Sequence, residues 1–443
     1  MTDLGELAVK KALKLGMDEA EAYIERVKVI SAEHADEIQS YKTVESLGLG
    51  IRVAKGKKLG LHATTILTEK EVEAAVEKAV KIANVTPEDP NWVGFNQKFG
   101  STKVEGIYDK TLTTLEYDKI ADKIIQGINY ATENDRKVRV TRGSLSIILV
   151  NNAITNSYHD TVTRDESMVN AYMMTKAVEG GDSTGFQSQQ KRNWNELDYQ
   201  FIADDAAEQA LKYVHSKTIE STKLPVIMKN SVFGSIFGLM LGSNINSETN
   251  QKGRSTFATK RDTQIADERI TCVDDGLMKN GFRTRPFDCE GHPLQKTPII
   301  EKGILKNFIY DNYRAQKEKV QSTGNARRDY HAQPVPSLNN FILSLGTTSL
   351  DDMIKDTKKG FLVERTIGQW LSKPTSGQLN ATVTHGYLIE DGELTQPVNN
   401  VIIAGNFFDL LQNKIDTIGN DQYNQGNIYT PSIKFSEMTI AGK

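Results

Sequence analysis

The stretch GLGIRVAKGKKLGLHATT, residues 48–65, predicts how the chain folds near its beginning. Two runs of strand-forming residues, 48–53 and 59–65, flank Lys55-Gly56, a pair typical of a hairpin turn. Thr68 and Glu71 follow at the spacing of a capping box, so we expect a helix to begin directly after the second strand. One face of this helix is apolar and consists of Val72, Val76, Ala79, Val80 and Ala83. Strands and a helix at such short range indicate an α+β fold.

The same mixture of helices and strands continues on both sides of this stretch. Before it, apolar residues from Leu4 to Leu15 recur at helical spacing, and Gly16 can end that helix. After it, the sequence predicts a helix at 115–131, strands at 138–150 and 161–177, a turn at 180–183 and a helix at 197–214. We therefore predict two α+β units, residues 1–95 and 108–217, although no repeat of individual residues is visible.

The pattern of the sequence changes between residues 216 and 223. One apolar segment with helical character, residues 232–241, is followed by many short strand candidates. Gly, Asn, Asp and Pro separate these candidates, which is typical of a β-rich domain with mixed or antiparallel sheets. We predict that residues 220–443 form such a domain.

Composition restricts the class of protein. The chain has 443 residues, which favours two or three domains, and its net charge of −3 argues against direct binding of nucleic acid by broad attraction. No signal sequence and no run of eighteen apolar residues is visible, so we expect a cytoplasmic protein without a membrane span. The two cysteines, Cys272 and Cys289, have no CxxC partner. This spacing favours reduced thiols, with a single disulfide as the alternative.

The seven histidines do not form a local metal-binding motif, because neither HExxH nor HxH spacing occurs. The segment 33–37, Glu-His-Ala-Asp-Glu, could bind a cation, but we favour a solvated polar face. Asp274-Asp275-Gly276 could bind a cation or act as acid and base, but turn chemistry is the preferred interpretation. His331 could contact a phosphate or carboxylate, although a hydrogen-bonded loop is preferred there. No GxSxG nucleophile motif occurs, so these residues alone predict no active site.

An ordered series of short segments nevertheless extends over nearly the whole chain, and most of them combine a turn glycine with Asp or Asn. They are residues 48–53, 250–257, 271–276, 288–291, 301–305, 323–328, 376–377, 386–393 and 402–406. Together, in this order, they resemble the TldD/PmbA metalloprotease family. Thr-Gly-Asn-Ala-Arg-Arg at 323–328 is one of the most recognisable of these segments.

The resemblance is specific to a branch of the family without a zinc site. In the TldD branch, a helix before the Lys-Gly segment carries HExxxH, and a late cysteine completes the zinc site. Alignment on Lys252-Gly253 puts Gly238 and Ser243 at the histidine positions and Leu239 at the glutamate. No cysteine follows Cys289, and residues 216–291 contain no histidine. The resemblance therefore implies a TldE-like subunit with neither zinc ligands nor a general base.

This resemblance implies that the cofactor and the catalytic residues belong to a partner. We expect no cofactor in this chain and a zinc ion in a TldD-like subunit, joined in a heterodimer that processes unfolded peptides; a homodimer is the alternative. Two other functions stay open: an autonomous hydrolase that uses Asp274, Asp275 or His331, and a regulator of a DNA-handling enzyme, as in the family's gyrase-modulator label. The substrate-binding or structural candidates are Gly253, Ser255, Asp274, Asp275, Gly276, Asn325, Arg327 and His331.

Overall fold

One antiparallel sheet of six strands forms the N-terminal half of the protein. The computed structural model describes residues 2–133, 137–180 and 183–443. The spatial order of the strands is β3-β2-β1-β4-β5-β6. These strands are β1 (Glu19–His34), β2 (Ile38–Lys55), β3 (Lys58–Thr64), β4 (Val138–Asn156), β5 (His159–Ala177) and β6 (Thr184–Lys191).

Four helices pack on this sheet in two groups. Helices α1 (Thr2–Lys14) and α2 (Glu69–Val85) enclose a core with β1 to β3, and α3 (Tyr117–Glu133) and α4 (Tyr199–Lys212) enclose a second core with β4 to β6. Each half of the sheet therefore has the same succession of one helix, three strands and one helix. Pairing of β1 with β4 joins the two predicted α+β units into one sheet. The limits of the predicted domains stay predictions.

The elements predicted around residues 48–65 are confirmed. The hairpin of β2 and β3 turns at Gly56, whose φ of +56° favours glycine. Thr68 caps α2 by accepting a hydrogen bond from the Glu71 amide, and the predicted apolar face of α2 is buried. Strands β1 and β6 were not predicted, and the turn predicted at 180–183 lies partly outside the described residues, which omit 181 and 182.

The C-terminal half is rich in short strands, as predicted, and its sheets are mixed. The larger sheet has the strand order β14-β7-β21-β17-β15-β16, and β18 also pairs with β21. A second sheet has the strand order β10-β9-β8-β13-β20-β19. Strands β11 and β12 form a separate pair. These strands are β7 (Thr222–Met228), β8 (Cys272–Asp275), β9 (Lys296–Glu301), β10 (Ile304–Leu305), β11 (Ala326–Arg327), β12 (Val335–Pro336), β13 (Phe341–Leu343), β14 (Lys359–Ile367), β15 (Gln378–Glu390), β16 (Glu393–Val398), β17 (Val401–Asn406), β18 (Ile415–Ile418), β19 (Tyr423–Gln425), β20 (Ile428–Thr430) and β21 (Ile433–Ala441).

Strand β14 also pairs with β15, so five strands of the larger sheet close into a ring. Helix α5 (Asn230–Asn244) packs against the main C-terminal core and confirms the apolar helix predicted at 232–241. None of the described helices is long and apolar enough to cross a membrane. The remaining helices are α6 (Ser247–Gln251), α7 (Asn312–Glu318), α8 (Leu350–Lys355) and α9 (Phe407–Asn413), with short 3₁₀ turns at Lys110–Thr113, Trp194–Glu196, Gln369–Leu371 and Pro374–Ser376.

Candidate functional site

Helix α5 separates the C-terminal core from a cleft. Its apolar face is buried in the core and consists of Val232, Phe233, Ile236, Phe237, Met240 and Leu241. The opposite face lines a cavity of about 440 Å³ and consists of Gly234, Ser235, Gly238, Leu239 and Gly242. Glycine at 234 and 238 allows β20 to approach, because an added Cβ would lie 2.6 Å from the Thr430 hydroxyl and 2.9 Å from Ile428.

The positions aligned with the zinc motif lie on this helix, and their side chains do not fit a metal. Gly238 and Leu239 line the cavity but offer no donor atom, and the Ser243 hydroxyl is not among the usual zinc ligands. Within residues 2–133, 137–180 and 183–443, no group of three or more His, Cys, Asp or Glu residues could hold a metal ion. This cavity therefore has the shape of a binding site without the ligands of a metal centre.

Arg283 provides the charge of the cavity, and the sequence analysis missed it. Its Nη1 donates to the Ser337 hydroxyl at 3.1 Å and to the Leu338 carbonyl at 3.4 Å. Burial, followed by the charges of Arg327 and Arg285, lowers the pKa of Arg283 to about 9, so this group is still cationic at neutral pH. A single arginine in a loop has no sequence signal that could have revealed this position.

A second cavity of about 520 Å³ adjoins the first, and Ser235 and Gln425 line both. Three strands border it: β6 through residues 186–190, β14 through 364–367, and β19. The two cavities therefore form one cleft along the face of α5 that lies opposite the core.

Glu364 is a charged group of the second cavity. It pairs with Lys212 at 3.5 Å and Lys229 at 3.8 Å, and it accepts a hydrogen bond from the Tyr213 hydroxyl. Although burial by itself raises the pKa of Glu364, Lys229, Lys212 and the Tyr213 hydroxyl hold it below its usual value. This carboxylate is therefore ionised and committed to its own neighbours.

Two of the candidates predicted from the sequence, Asp274 and Asn325, lie together in the interior. Asp274 is fully buried and accepts hydrogen bonds from Asn325 Nδ2 at 2.7 Å, the Asn339 amide at 2.8 Å and Asn339 Nδ2 at 3.2 Å. Burial raises the pKa of Asp274 to about 7. Asp275 instead accepts from the Leu277 amide at 2.8 Å, which is the turn chemistry preferred for this segment. Neither carboxylate lines the cleft along α5.

The other candidates do not form one cluster. Gly253 has a φ of +64° at the end of α6, and the Ser255 hydroxyl donates to the Asn244 carbonyl at 3.0 Å. An added Cβ at Gly276 would lie 2.8 Å from the Leu294 side chain. Arg327 and His331 are exposed. Their roles in binding stay predictions.

Several segments of the family resemblance meet where the N-terminal sheet contacts the C-terminal half. Arg52 pairs with Glu21 at 2.8 Å and with Glu290 at 3.2 Å, and Arg328 also donates to Glu21; all four side chains are buried. A side chain at Gly50 would overlap the backbone of Tyr330. The segments 48–53, 288–291 and 323–328 therefore hold the two halves together, a role that their separate positions in the sequence do not indicate.

A second buried ion cluster surrounds Glu166. Its carboxylate pairs with Arg164 at 2.8 Å, Arg192 at 3.3 Å and Arg285 at 3.4 Å. Burial alone would raise the pKa of Glu166, but Arg285, Arg164 and Arg192 hold it well below its usual range. Arginines thus outnumber carboxylates in this region, since three guanidinium groups share one acid.

The prediction of a solvated polar face at 33–37 is wrong for His34. This histidine is fully buried, hydrogen-bonds the Tyr199 hydroxyl through Nε2, and has a pKa lowered by burial. Alternation along β1 turns His34 toward the core while Asp36 and Glu37 in the following turn stay exposed. Both cysteines are buried free thiols, which confirms the preferred interpretation and excludes the alternative of a disulfide.

Comparison with known proteins identifies the family. Residues 20–83 match the model of PmbA/TldA metallopeptidase domain 1, and residues 221–442 match that of the PmbA/TldA metallopeptidase C-terminal domain. The chain belongs to the PmbA/TldA metallopeptidase family, as the sequence resemblance predicted.

Relatives resemble the chain over nearly its full length. Metalloprotease PmbA of Escherichia coli O157:H7 is 26% identical over 459 residues, which cover 99% of this chain and 96% of that protein. The structure of TldE from Thermococcus kodakarensis is 26% identical, covers 99% of this chain and all of its own, and gives a TM-score of 0.91. A Thermotoga maritima structure described as a proposed modulator of a DNA gyrase is 25% identical, covers 99% of both chains and gives a TM-score of 0.90.

Proposed function

We propose that this chain is the subunit without metal ligands in a TldD/TldE-type peptidase complex of the cytoplasm, and that a TldD-like partner holds the zinc. The observation that carries the proposal is the cleft beside α5. Of the aligned motif positions, Gly238 and Leu239 line this cleft and Ser243 lies on the same helix, and none of the three offers a usual zinc ligand. Family membership and the likeness to TldE support the same assignment.

The proposed ligand of the cleft is an unfolded peptide. Strands β6 and β19 each end a sheet, and β14 extends beyond the three residues through which it pairs with β7, Phe361–Val363. Strand ends of this kind can offer unpaired backbone groups to an extended chain, which binds as an additional strand. Main-chain hydrogen bonds depend little on side chains, so the cleft accepts peptides of varied sequence.

A reconstitution experiment tests the division of labour between the subunits. The chain alone, the TldD-like partner alone and the mixture are assayed for zinc content and for cleavage of an unfolded peptide. We expect zinc to follow the partner and full cleavage to require both chains. Zinc-dependent cleavage by this chain alone would overturn the proposal.

A matched pair of variants assigns the chemistry. Ser243→Ala in this chain should leave cleavage by the complex within about twofold, because Ser243 does not line the cleft and no reacting group is removed. Replacing the motif glutamate of the partner by glutamine should abolish cleavage, because the general base is lost. Equal losses for the two variants would contradict a non-catalytic role.

The mass of the assembly distinguishes the expected heterodimer from the alternative homodimer. Light scattering of the mixture should give one species containing one copy of each chain, whereas a homodimer persists when the partner is in excess.

Regulation of a DNA-handling enzyme is tested separately by a salt-dependent titration with duplex DNA. Because the net charge of the chain is −3, we expect no binding of duplex DNA in that titration.

A further inference from the structure

Arg283 lines the α5 cavity and supplies a positive charge there. Arg283 lies in the loop between β8 and β9, and no acidic side chain of the described residues lies within ion-pair distance of its guanidinium group. The hydrogen bonds that it donates go to a hydroxyl and a backbone carbonyl, both uncharged. A half-buried guanidinium group in such surroundings gains free energy from an anion, because burial weakens the compensation by water.

The neighbouring Arg285 and Arg327 add to the positive charge around Arg283. Arg285 shares Glu166 with two other arginines, and exposed Arg327 has no ion pair among the described residues. Both charges are near enough to lower the pKa of Arg283. Asp274 and Glu166 offset part of this repulsion, and an incoming anion at Arg283 would relieve the rest.

The lining of the first cavity suits one particular anion. Of the described residues, Arg283 is the charged member of the lining, and no Asp or Glu competes for it there. A carboxylate has the planar, two-oxygen shape that a guanidinium group binds through two parallel hydrogen bonds.

We propose that the first cavity binds the free α-carboxylate at the C-terminal end of a peptide, and that Arg283 holds it. The preceding residues of the peptide extend past Ser235 and Gln425 into the second cavity, where the strand ends lie. This inference rests on the proposed peptide-binding function and adds a direction to it. The complex would thereby favour peptides with a free C-terminal end over internal stretches of a protein.

Binding of labelled hexapeptides tests the inference. The chain alone and the complex whose partner lacks its motif glutamate are titrated with three peptides by fluorescence anisotropy. One peptide ends in a free carboxylate, the second is the same sequence as its C-terminal amide, and the third is an amide with one internal glutamate. We expect the free acid to bind about 10–100-fold more tightly than either amide, which is the range of a charge-assisted bond.

Variants assign this preference to one side chain. Arg283→Gln should remove the preference for the free acid, and Arg283→Lys should retain part of it, because the charge stays but the paired geometry is lost. Arg139→Gln, an exposed arginine on β4, is the matched control and should retain the full preference. Circular dichroism checks that each variant is folded, and the comparison of acid with amide in the unaltered chain does not depend on any variant.

Several results would overturn the inference. They are equal affinity for acid and amide, full preference in Arg283→Gln, absence of peptide binding in both preparations, and tight binding of the amide with internal glutamate. The last result would assign Arg283 to acidic side chains instead of chain ends. Failure of the proposed function has a different signature, namely zinc-dependent cleavage by this chain alone, which the binding preference does not affect.

Discussion

Replacing Glu21 with glutamine is expected to weaken the contact between the two halves of the chain. Glu21 is fully buried, and its Oε1 accepts from Arg52 Nε at 3.0 Å, from Arg52 Nη2 at 2.8 Å and from Arg328. Glutamine keeps the shape and one acceptor oxygen but removes the negative charge. Two buried guanidinium groups would then have only Glu290 to balance them within this cluster.

The size of the effect follows from burial. Removing one partner of a buried ion pair costs about 3–5 kcal/mol. An unfolding entropy of about 2.1 cal/mol/K per residue, taken over 443 residues, corresponds to about 1 °C per kcal/mol if the chain unfolds as one unit. The melting temperature of Glu21→Gln should therefore fall by about 3–5 °C.

Glu33→Gln is the control, because it makes the same chemical change on the same strand. Glu33 pairs with Lys42 at 3.5 Å, and the two side chains are 43% and 58% exposed. Such a pair contributes less than about 1 kcal/mol to the free energy of unfolding. The melting temperature of Glu33→Gln should therefore fall by less than about 1 °C. Thermal unfolding followed by circular dichroism measures both variants, and equal shifts would refute the view that the buried cluster joins the halves.

Four further substitutions, one of them a control, test other parts of the structure. Asp274→Ala removes the acceptor of three hydrogen bonds and should cost about 2–4 kcal/mol in urea unfolding, whereas Asp275→Asn keeps its turn acceptor and should cost less than about 1 kcal/mol. Burial lowers the pKa of His385 to about 4, so as the pH falls below about 6.5 the unfolded chain binds a proton that the folded chain does not. The free energy of unfolding should therefore decrease as the pH falls from 6.5 to 4. His385→Gln should reduce that decrease by about 1–3 kcal/mol. Gly50→Ala should lower the melting temperature by about 1–3 °C, because its Cβ would overlap Tyr330, and an unchanged temperature would contradict this close contact.

The sequence predicted elements whose signals are local. The hairpin at 48–65, the capped helix after it and the apolar helix α5 all follow from turn residues or from a period visible within about fifteen residues. Strand β1 has no such signal, because its buried positions 20–24 include the charged Glu21 in an unbroken buried run. A charged residue in the interior hides the alternation by which strands are recognised.

The sequence supported an expectation about metal ligands but did not reveal the cleft. The missing zinc ligands are a property of composition, since residues 216–291 contain no histidine and no cysteine follows Cys289. Arg283 was not predictable, because its importance depends on a cavity whose other wall is α5, some forty residues earlier in the chain. Asp274 and Asn325 were singled out from family segments, but their contact with each other required the folded chain.

By itself, the sequence determined the local elements, the α+β character and the absence of metal ligands at the family positions. Hydrogen bonding within a helix or hairpin and the chemistry of a ligand depend on residue types at short range, so they can be read directly. Only the tertiary structure decided that Glu21 meets Arg328, 307 residues away, and that Gly238 and Leu239 line the same cavity as Arg283. These features arise from burial, which gives a charge its large energetic effect and is a property of the folded chain as a whole.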